Sequence, residues 1–275
     1  MKKRHLSRPM EQSIAMQLRG FLGDSVRAVG FLSRFPVPSR FYEGHTAPIS
    51  AMAGAFPLAG AIVALPAAML LLVLDATGAP ELLVGFLVVA TQIVSSGALH
   101  EDGLADCADG LFGGRDRDRM LAIMKDSRVG SYGVLALVLA VGIRASAIAA
   151  VADAQSPLVG AVALLIAAIL SRSAMVWHWS SLPQARPDGV AAAAGAPDRS
   201  ARRIAVISGV ALCLVLGTVE FIVPAVLLAI TASAVTGQVF ASFVTRKIGG
   251  HTGDTIGASQ QIAEIVTLLC LALVL

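Results

Sequence analysis

The chain has 275 residues, of which 56% are hydrophobic and only 14% are charged, and its mean hydropathy is +0.77. A soluble globular domain carries about 25% charged residues, so this composition excludes an ordinary soluble protein. The apolar residues are grouped into stretches of about 20, the length at which a helix crosses a hydrocarbon core of about 30 Å. The sequence therefore predicts an all-α, polytopic integral membrane protein.

Other classes are excluded by the same composition. A β-barrel strand alternates apolar and polar residues over about ten positions, whereas residues 58–74 are apolar on every side. The three cysteines, Cys107, Cys213 and Cys270, cannot form an even disulfide framework. The net charge of +3 is attributed to positive cytoplasmic loops. We expect no nucleic-acid partner, because no basic stripe is interleaved with aromatic residues.

The first 49 residues precede the first predicted span. Met1–Met10 is basic. Between Ile14 and Phe35, apolar residues recur at helical spacing and arginines fall on the opposite face, which predicts an amphipathic helix at the membrane interface. The proline-rich turn Phe35–Ser39 ends that helix. We therefore divide the chain into an N-terminal extension, 1–49, and a single transmembrane catalytic domain, 50–275.

About seven membrane-spanning helices are predicted. Their expected ranges are Ser50–Leu74, Glu81–Leu99, Ser131–Ala152, Pro157–Ser180, Arg203–Val219, Phe221–Val244 and Ile256–Leu275. None of the predicted outer loops contains Lys or Arg. Of the 21 basic residues, all but Arg144 and Arg172 lie in the N-terminal region or in loops and helix ends assigned to the cytoplasm. The positive-inside rule then predicts a cytoplasmic N-terminus and an external C-terminus.

The predicted inner loops carry nearly all of the candidate chemistry. The first holds the run His100–Gly110, in which Asp102, Asp106 and Asp109 stand at i, i+4 and i+7 on one helical face. Three carboxylates on one stripe repel one another unless a cation lies between them, and Mg²⁺ binds carboxylates together with substrate phosphates. Glu101 points to another face of the helix, which makes it a poorer ligand. The alternative is a solvated acidic helix end neutralised by nearby arginines.

A second cluster lies at the end of the same loop. Lys125, Asp126, Ser127 and Arg128 follow an apolar turn and precede a glycine. Ammonium and guanidinium groups are suited to phosphate oxygens. The alternative is that the two basic residues are only the positive flank of the third span.

The other inner loops supply two more pairs. Arg186 and Asp188 lie in the second loop, and His251 and Asp254 lie in the glycine-rich segment Gly249–Gly257 of the third. Glycines let backbone N–H groups approach an anion, and the following helix adds the positive end of its dipole. A plain connecting loop is the alternative.

Three ionisable residues are predicted inside spans, namely Arg144, Arg172 and Glu264. Charged groups are costly in a membrane and are functional candidates for that reason. For the two arginines, snorkelling to the interface or a structural ion pair remains open.

Together these motifs resemble the cobalamin synthase family, the membrane-bound adenosylcobinamide-GDP ribazoletransferases of late vitamin B12 biosynthesis. The resemblance is collinear from about residue 27 to residue 270, and it is carried by residues 31–38, 56–60, 98–110, 124–130 and 249–258. It implies that adenosylcobinamide-GDP condenses with α-ribazole or its 5′-phosphate, releasing GMP and giving adenosylcobalamin or its phosphate. It also implies a bacterial inner-membrane protein that contacts lipid and whose active site faces the cytoplasm; a homo-oligomer is left open.

This resemblance implies roles for the residues above. Asp102, Asp106 and Asp109 would bind Mg²⁺, and one of them or His100 would accept the hydroxyl proton. The expected substrate-binding residues are Lys125, Asp126, Ser127, Arg128, Arg186, Asp188, His251 and Asp254.

Two other functions are weighed against this one. A CDP-alcohol phosphotransferase acting on lipids also places several aspartates on membrane helices, although with different spacing. An ion-coupled transporter would place polar residues near the bilayer midplane. The clustering of aspartates at one membrane face favours an enzyme.

Overall fold

The computed structural model describes residues 8–44, 46–219 and 222–275, and side chains are described from residue 19 onward. In this part of the chain every regular element is a helix. The α-helices are α1 (Arg8–Leu32), α2 (Phe56–Asp75), α3 (Glu81–Ser96), α4 (Leu99–Gly113), α5 (Arg117–Ile123), α6 (Ser131–Ala154), α7 (Pro157–Ser181), α8 (Val190–Ala194), α9 (Arg199–Val219), α10 (Val223–Ile248) and α11 (Gly253–Val274). Short 3₁₀ helices cover Ser39–Phe41 and Ile49–Ala55.

Six helical segments in the described residues are long and apolar enough to cross a membrane, and a seventh span is formed if α3 and α4 count as one bent segment. These segments correspond to the seven predicted spans, which confirms the all-α, polytopic fold. The first begins as the 3₁₀ helix Ile49–Ala55 and continues as α2. The orientation of the termini stays a prediction.

Helix α7 lies at the centre of the bundle. In its most apolar 18-residue stretch, 89% of the residues are buried inside the protein, and it packs against α2, α6, α9, α10 and α11. Small residues allow this close packing, as is usual for membrane helices. At Gly60 of α2, for example, a Cβ atom would lie only 2.7 Å from the carbonyl oxygen of Ala168.

The chain turns by 94° between α3 and α4. Gly97 and Ala98 both have left-handed backbones, with φ of 65° and 59°, and the Arg34 side chain fills the space beside Gly97. The second span was predicted to run to Leu99 as one helix, but it is bent: α3 ends at Ser96 because the left-handed residues break the helical path. The acidic run 100–110 therefore lies on a helix of its own, α4.

The N-terminal extension includes the predicted helix, since α1 covers Arg8–Leu32. Residues 1–7, which hold most of the predicted basic segment, lie outside the described residues. The last turns of α1 join the core: Leu32 is 1% exposed, and the Phe31 ring stacks on Phe56 at 6.0 Å between centroids. The N-terminal extension thus packs against the transmembrane domain, across the predicted boundary at residue 49.

Candidate active site

The three predicted inner loops meet at one place. Arg117 of the first loop donates from Nε to the carbonyl oxygen of Ile248 at 3.0 Å and from Nη2 to that of Ala185. The second and third loops pair through two backbone bonds, from Ala185 N to His251 O at 2.9 Å and from His251 N to Pro183 O at 2.8 Å. These contacts bring segments that are far apart in sequence to a common site.

Helices α4 and α11 cross closely beside this junction. A Cβ atom on Gly103 would lie 3.0 Å from the carbonyl oxygen of Asp254 and 3.2 Å from the Cα atom of Gly257. Only glycine permits this approach of two backbones. The crossing places Asp102 and Asp106 of α4 beside Asp254 in the first turn of α11.

These three aspartates form what we call the acidic cluster: Asp102, Asp106 and Asp254. The charges of Asp102, Asp254, Asp109 and Arg186 all act on Asp106. Arg186 pairs with Asp254 at 3.5 Å, and its Nη1 is buried without a hydrogen-bond partner among the described residues. Carboxylates beside a guanidinium with a free donor are suited to a divalent cation and a phosphate.

The start of α11 lies beside the acidic cluster and is capped by its own threonine side chains. Thr252 and Thr255 form a capping box, with bonds of 3.2 Å and 2.9 Å between backbone and side chain. The Thr252 hydroxyl also donates to the Asp254 carboxylate at 3.1 Å. This fixes the start of the helix, whose dipole favours an anion.

Asp109 does not share the surroundings of Asp102 and Asp106. Its two carboxylate oxygens accept hydrogen bonds from the backbone N–H groups of Gly130, at 2.6 Å, and Gly133, at 2.9 Å. It is 7% exposed, whereas Asp102 is exposed and Asp106 is half-buried. Asp109 thus also anchors the start of α6, because a carboxylate stabilises unpaired N–H groups there. It is therefore not equivalent to Asp102 and Asp106, and its role as a metal ligand stays a prediction.

Among the described residues, no group of three or more His, Cys, Asp and Glu side chains is arranged to hold a metal ion by itself. Magnesium commonly takes one or two carboxylates and completes its shell with water and substrate phosphates. The acidic cluster thus offers a partial set of ligands of the right chemical type.

The predicted phosphate-binding residues of the first loop are held in exposed ion pairs. Lys125 pairs with Asp188 of the second loop at 2.5 Å, and Arg128 pairs with Asp126 at 2.6 Å. Hydrogen bonds from Arg128 lower the pKa of Asp126 to about 2, and the bond from Lys125 lowers the pKa of Asp188. Ser127 is exposed beside them.

Both predicted histidines are buried. His100 is 3% exposed and His251 is 2% exposed, and each has one ring nitrogen, Nε2 and Nδ1 respectively, without a hydrogen-bond partner among the described residues. Burial lowers the pKa of His251, so this ring is neutral at neutral pH. His100 lines a cavity together with Asp102 and Asp254.

Behind the acidic cluster, the ionisable residues of the spans form one buried network. Glu264 of α11 accepts from Arg144 of α6 at 3.3 Å and from Arg172 of α7 at 3.0 Å. Arg144 also donates to Glu101 of α4 at 3.0 Å, and Gln261 donates to the same Glu101 oxygen at 3.1 Å. Of the alternatives left open for the two arginines, the structure shows the ion pair. Glu101 therefore belongs to this buried network and not to the acidic cluster.

Sequence reasoning missed two residues of this region. Arg117 was treated only as one of several neutralising charges, and its role depends on carbonyl groups more than 60 residues away in the sequence, which no local pattern reveals. Trp179, at the inner end of α7, lines the cavity beside His100. Its position at the end of a span was the only available signal.

A model of the cobalamin-5-phosphate synthase family matches residues 24–272, which include the acidic cluster, the loop junction and the buried network. The chain belongs to that family. The match confirms the resemblance found in the sequence motifs, and the family acts in the final joining step of cobalamin biosynthesis.

Curated relatives of the family match over nearly their whole length. Adenosylcobinamide-GDP ribazoletransferase of Sinorhizobium medicae (strain WSM419) is 54% identical over 94% of this chain and 98% of its own. Proteins of the same name from a Sinorhizobium species and from Rhizobium meliloti (strain 1021) are 51% and 50% identical, over 92% and 93% of this chain and 99% and 98% of their own. No solved structure matches the chain.

Proposed function

We propose that this protein joins adenosylcobinamide-GDP to α-ribazole or α-ribazole 5′-phosphate, with release of GMP. A ribose hydroxyl of the ribazole attacks the phosphorus next to the cobinamide. A new P–O bond to the ribose forms, the P–O–P bridge breaks, and GMP leaves with the bridging oxygen. The product is adenosylcobalamin or its 5′-phosphate. Membership of the family and the names of the relatives support this reaction.

The observation that carries the proposal is the convergence of Asp102 and Asp106 with Asp254 and Arg186. Transfer of a phosphoryl group depends on positioning and on neutralising charge more than on covalent catalysis. A cluster with carboxylates on one side and a guanidinium on the other supplies both. It lies where three inner loops meet, in keeping with substrates that arrive from the cytoplasm of a bacterial cell.

Magnesium fits the carboxylates of this cluster. Asp106, with Asp102 or Asp254, would hold the ion, which would neutralise charge on the pyrophosphate oxygens. Asp109 is left out of this set because its oxygens already accept two backbone N–H groups.

Basic residues around the cluster would hold the phosphates. Arg186 offers its unpartnered Nη1, while Lys125 and Arg128 would exchange Asp188 and Asp126 for phosphate oxygens when substrate binds. Exposed ion pairs contribute only about 0 to 1 kcal/mol, so this exchange costs little. Asp188, Asp126 and Ser127 would remain as hydrogen-bonding neighbours.

A proton acceptor for the ribose hydroxyl is available in the same place. Asp102 is exposed at the cavity and His100 is adjacent to it, so either side chain can take the proton as the new bond forms. His251, neutral at the loop junction, would hydrogen-bond substrate rather than attract it by charge.

The test is turnover by the purified protein in detergent. With adenosylcobinamide-GDP, α-ribazole 5′-phosphate and Mg²⁺, we expect one GMP for each cobalamin phosphate formed, measured by chromatography. EDTA should abolish turnover and excess Mg²⁺ should restore it. Full activity in EDTA would remove the metal from the proposal, and a product formed instead from a CDP-alcohol and lipid would overturn the reaction itself.

A further inference from the structure

A cavity of about 190 Å³ opens next to the acidic cluster. One of its walls is apolar and largely aromatic, formed by Phe31 of α1, Phe56 of α2, Met175 and Trp179 of α7, and Ile256 of α11. The Phe56 ring lies 6.0 Å from Phe31 and 6.4 Å from Trp179, measured between centroids. The lining also includes the polar side chains of His100, Asp102 and Asp254. The cavity thus offers apolar surface to a flat group and polar side chains to its polar substituents.

Two of the residues that line this cavity each carry a buried ring nitrogen that lacks a partner among the described residues. Trp179 is 3% exposed and His100 is 3% exposed, yet neither Trp179 Nε1 nor His100 Nε2 has a hydrogen-bond partner among the described residues. A buried indole N–H normally finds an acceptor, because leaving it unpaired costs about 1 to 3 kcal/mol. A ligand that brings an acceptor into an otherwise apolar wall would satisfy it.

The ring systems of the two proposed substrates differ in how well they match the apolar lining of this cavity. Guanine presents several donors and acceptors around its edge, which the apolar side chains would leave unpaired at a cost. The corrin ring is much wider and is fringed with amides. The dimethylbenzimidazole base of α-ribazole is flat, carries two methyl groups, and retains one acceptor nitrogen once the ribose occupies the other.

We infer that this cavity binds the base of α-ribazole, with Phe31, Phe56 and Trp179 holding the ring and the Trp179 N–H donating to its free nitrogen. The inference rests on the proposed function. The ring would lie against the apolar wall, so that the attached ribose would extend toward Asp102 and His100, where its hydroxyl loses a proton. Specificity for the ribazole and activation of its hydroxyl would then come from one cavity.

The test separates the two substrates. Trp179→Phe keeps an aromatic ring and removes only the N–H, so we expect the KM for α-ribazole to rise about tenfold, the usual effect of one lost hydrogen bond, with the KM for adenosylcobinamide-GDP unchanged. The chain contains two tryptophans, and Trp177 lines a separate groove between α7, α9 and α10. Trp177→Phe is therefore the matched control and should change neither KM.

Calorimetric titration with α-ribazole alone gives a readout that does not need turnover. Weaker binding in Trp179→Phe than in Trp177→Phe supports the inference, while equal binding, or equal changes in both KM values, overturns it. If the wild type binds α-ribazole with this dependence but makes no product, the proposed reaction fails and the binding site stands; absence of binding overturns the site. Phe31→Leu, at a partly buried position, replaces Trp179→Phe if that variant does not fold, and the same criteria apply.

Discussion

Asp106 and Asp109 lie one turn apart on α4, and their different contacts predict different defects. Asp106→Asn removes a charge from the acidic cluster, so turnover should fall by at least about 10²-fold while the melting temperature stays unchanged. Asp109→Asn places an amide against two backbone N–H donors and should cost about 1.5 to 3 kcal/mol of stability. Thermal melting in detergent, with kinetics normalised to folded protein, measures both.

If Asp109→Asn abolished turnover at an unchanged melting temperature, Asp109 would act in the chemistry after all. Such a result would restore the set of three ligands expected from the sequence. Asp153→Asn, at an exposed position near the end of α6, serves as the control for a lost carboxylate.

The basic residues around the cluster predict a loss that is specific for the pyrophosphate substrate. Arg186→Ala or Lys125→Ala removes a charged donor worth about 1.5 to 3 kcal/mol, so kcat/KM for adenosylcobinamide-GDP should fall by roughly one to two orders of magnitude. The KM for α-ribazole should change less. The measurement is initial-rate kinetics at saturating partner substrate.

Arg128→Ala tests the third basic residue predicted to bind phosphate. Its kcat/KM for adenosylcobinamide-GDP should fall as in the Arg186→Ala and Lys125→Ala variants. Membrane insertion is measured in parallel. If the alanine variants insert poorly and yet have normal kcat/KM per inserted molecule, the basic residues serve topology and do not bind phosphate.

For individual residues, the sequence predicted which side chains carry chemistry better than it predicted their partners. Asp102, Asp254 and Arg186 were expected at one site, and they converge because α4 crosses α11. The contact of Asp109 with Gly130 and Gly133 was not predictable, since it depends on how α6 begins beside α4. Residue type and spacing indicate which chemistry a side chain can perform, whereas tertiary packing decides which residues it contacts.

At the scale of elements, the crossing of α4 and α11 controls the geometry of the acidic cluster. Gly103→Ala would place a Cβ atom 3.0 Å from the Asp254 carbonyl oxygen, so the two backbones would have to separate by a few tenths of an ångström. A displacement of about 1 Å can cost about 10²-fold in rate, so this smaller shift should cost less than that. We expect kcat to fall although alanine favours a helix by about 1 kcal/mol. Kinetics and a thermal melt of the purified variant provide the test.

Gly142→Ala in α6 is the matched control, because a Cβ atom there would meet nothing within 4 Å. It should leave kcat unchanged. Equal activity of the two alanine variants would mean that the helix crossing does not position the carboxylates.

The buried network couples four helices through a balance of two arginines and two glutamates. Glu264→Gln leaves Arg144 and Arg172 with only Glu101 as a carboxylate, and breaking a buried pair typically costs about 3 to 5 kcal/mol. We expect a large fall in melting temperature. Glu43→Gln, at an exposed position whose carboxylate accepts a hydrogen bond from the Ser39 hydroxyl at 3.3 Å, should melt like the wild type.

An unchanged melting temperature for Glu264→Gln would show that the network adds little to stability. A loss of turnover alone would then indicate a role in positioning α4 and α11.

The spans were predictable because a membrane requires each crossing segment to be apolar and to satisfy its own backbone hydrogen bonds. The bend at Gly97 and Ala98 was not, since alanine gives no signal of a left-handed backbone. The short helices α5 and α8 were also missed: their sequences are brief, and α5 packs against α4 and against α10, which lies far from it in sequence.

For the whole molecule, the distribution of basic residues predicts a cytoplasmic N-terminus and an external C-terminus. Single cysteines placed by Gly78→Cys and Gln155→Cys should react with an impermeant reagent from outside the cell. Asp118→Cys and Ser200→Cys should react only after the membrane is opened. The background carries Cys270→Ser, since Cys270 is partly exposed, and labelling is read as a mass shift.

External labelling of Asp118→Cys would contradict both the orientation and the access of substrates from the cytoplasm. It would place the acidic cluster on the outer face. The same assay without added cysteines controls for Cys107 and Cys213, which are buried.

The bend after α3 also has a consequence for the lipid around the protein. With 16 residues, α3 is about 24 Å long, less than the roughly 30 Å of hydrocarbon that a straight span must cross. A short span draws the bilayer inward around itself. Beside α3 the headgroup layer should therefore dip toward the membrane centre and form a shallow depression. Water and large water-soluble corrinoids could then approach the membrane centre more closely than at a flat membrane surface.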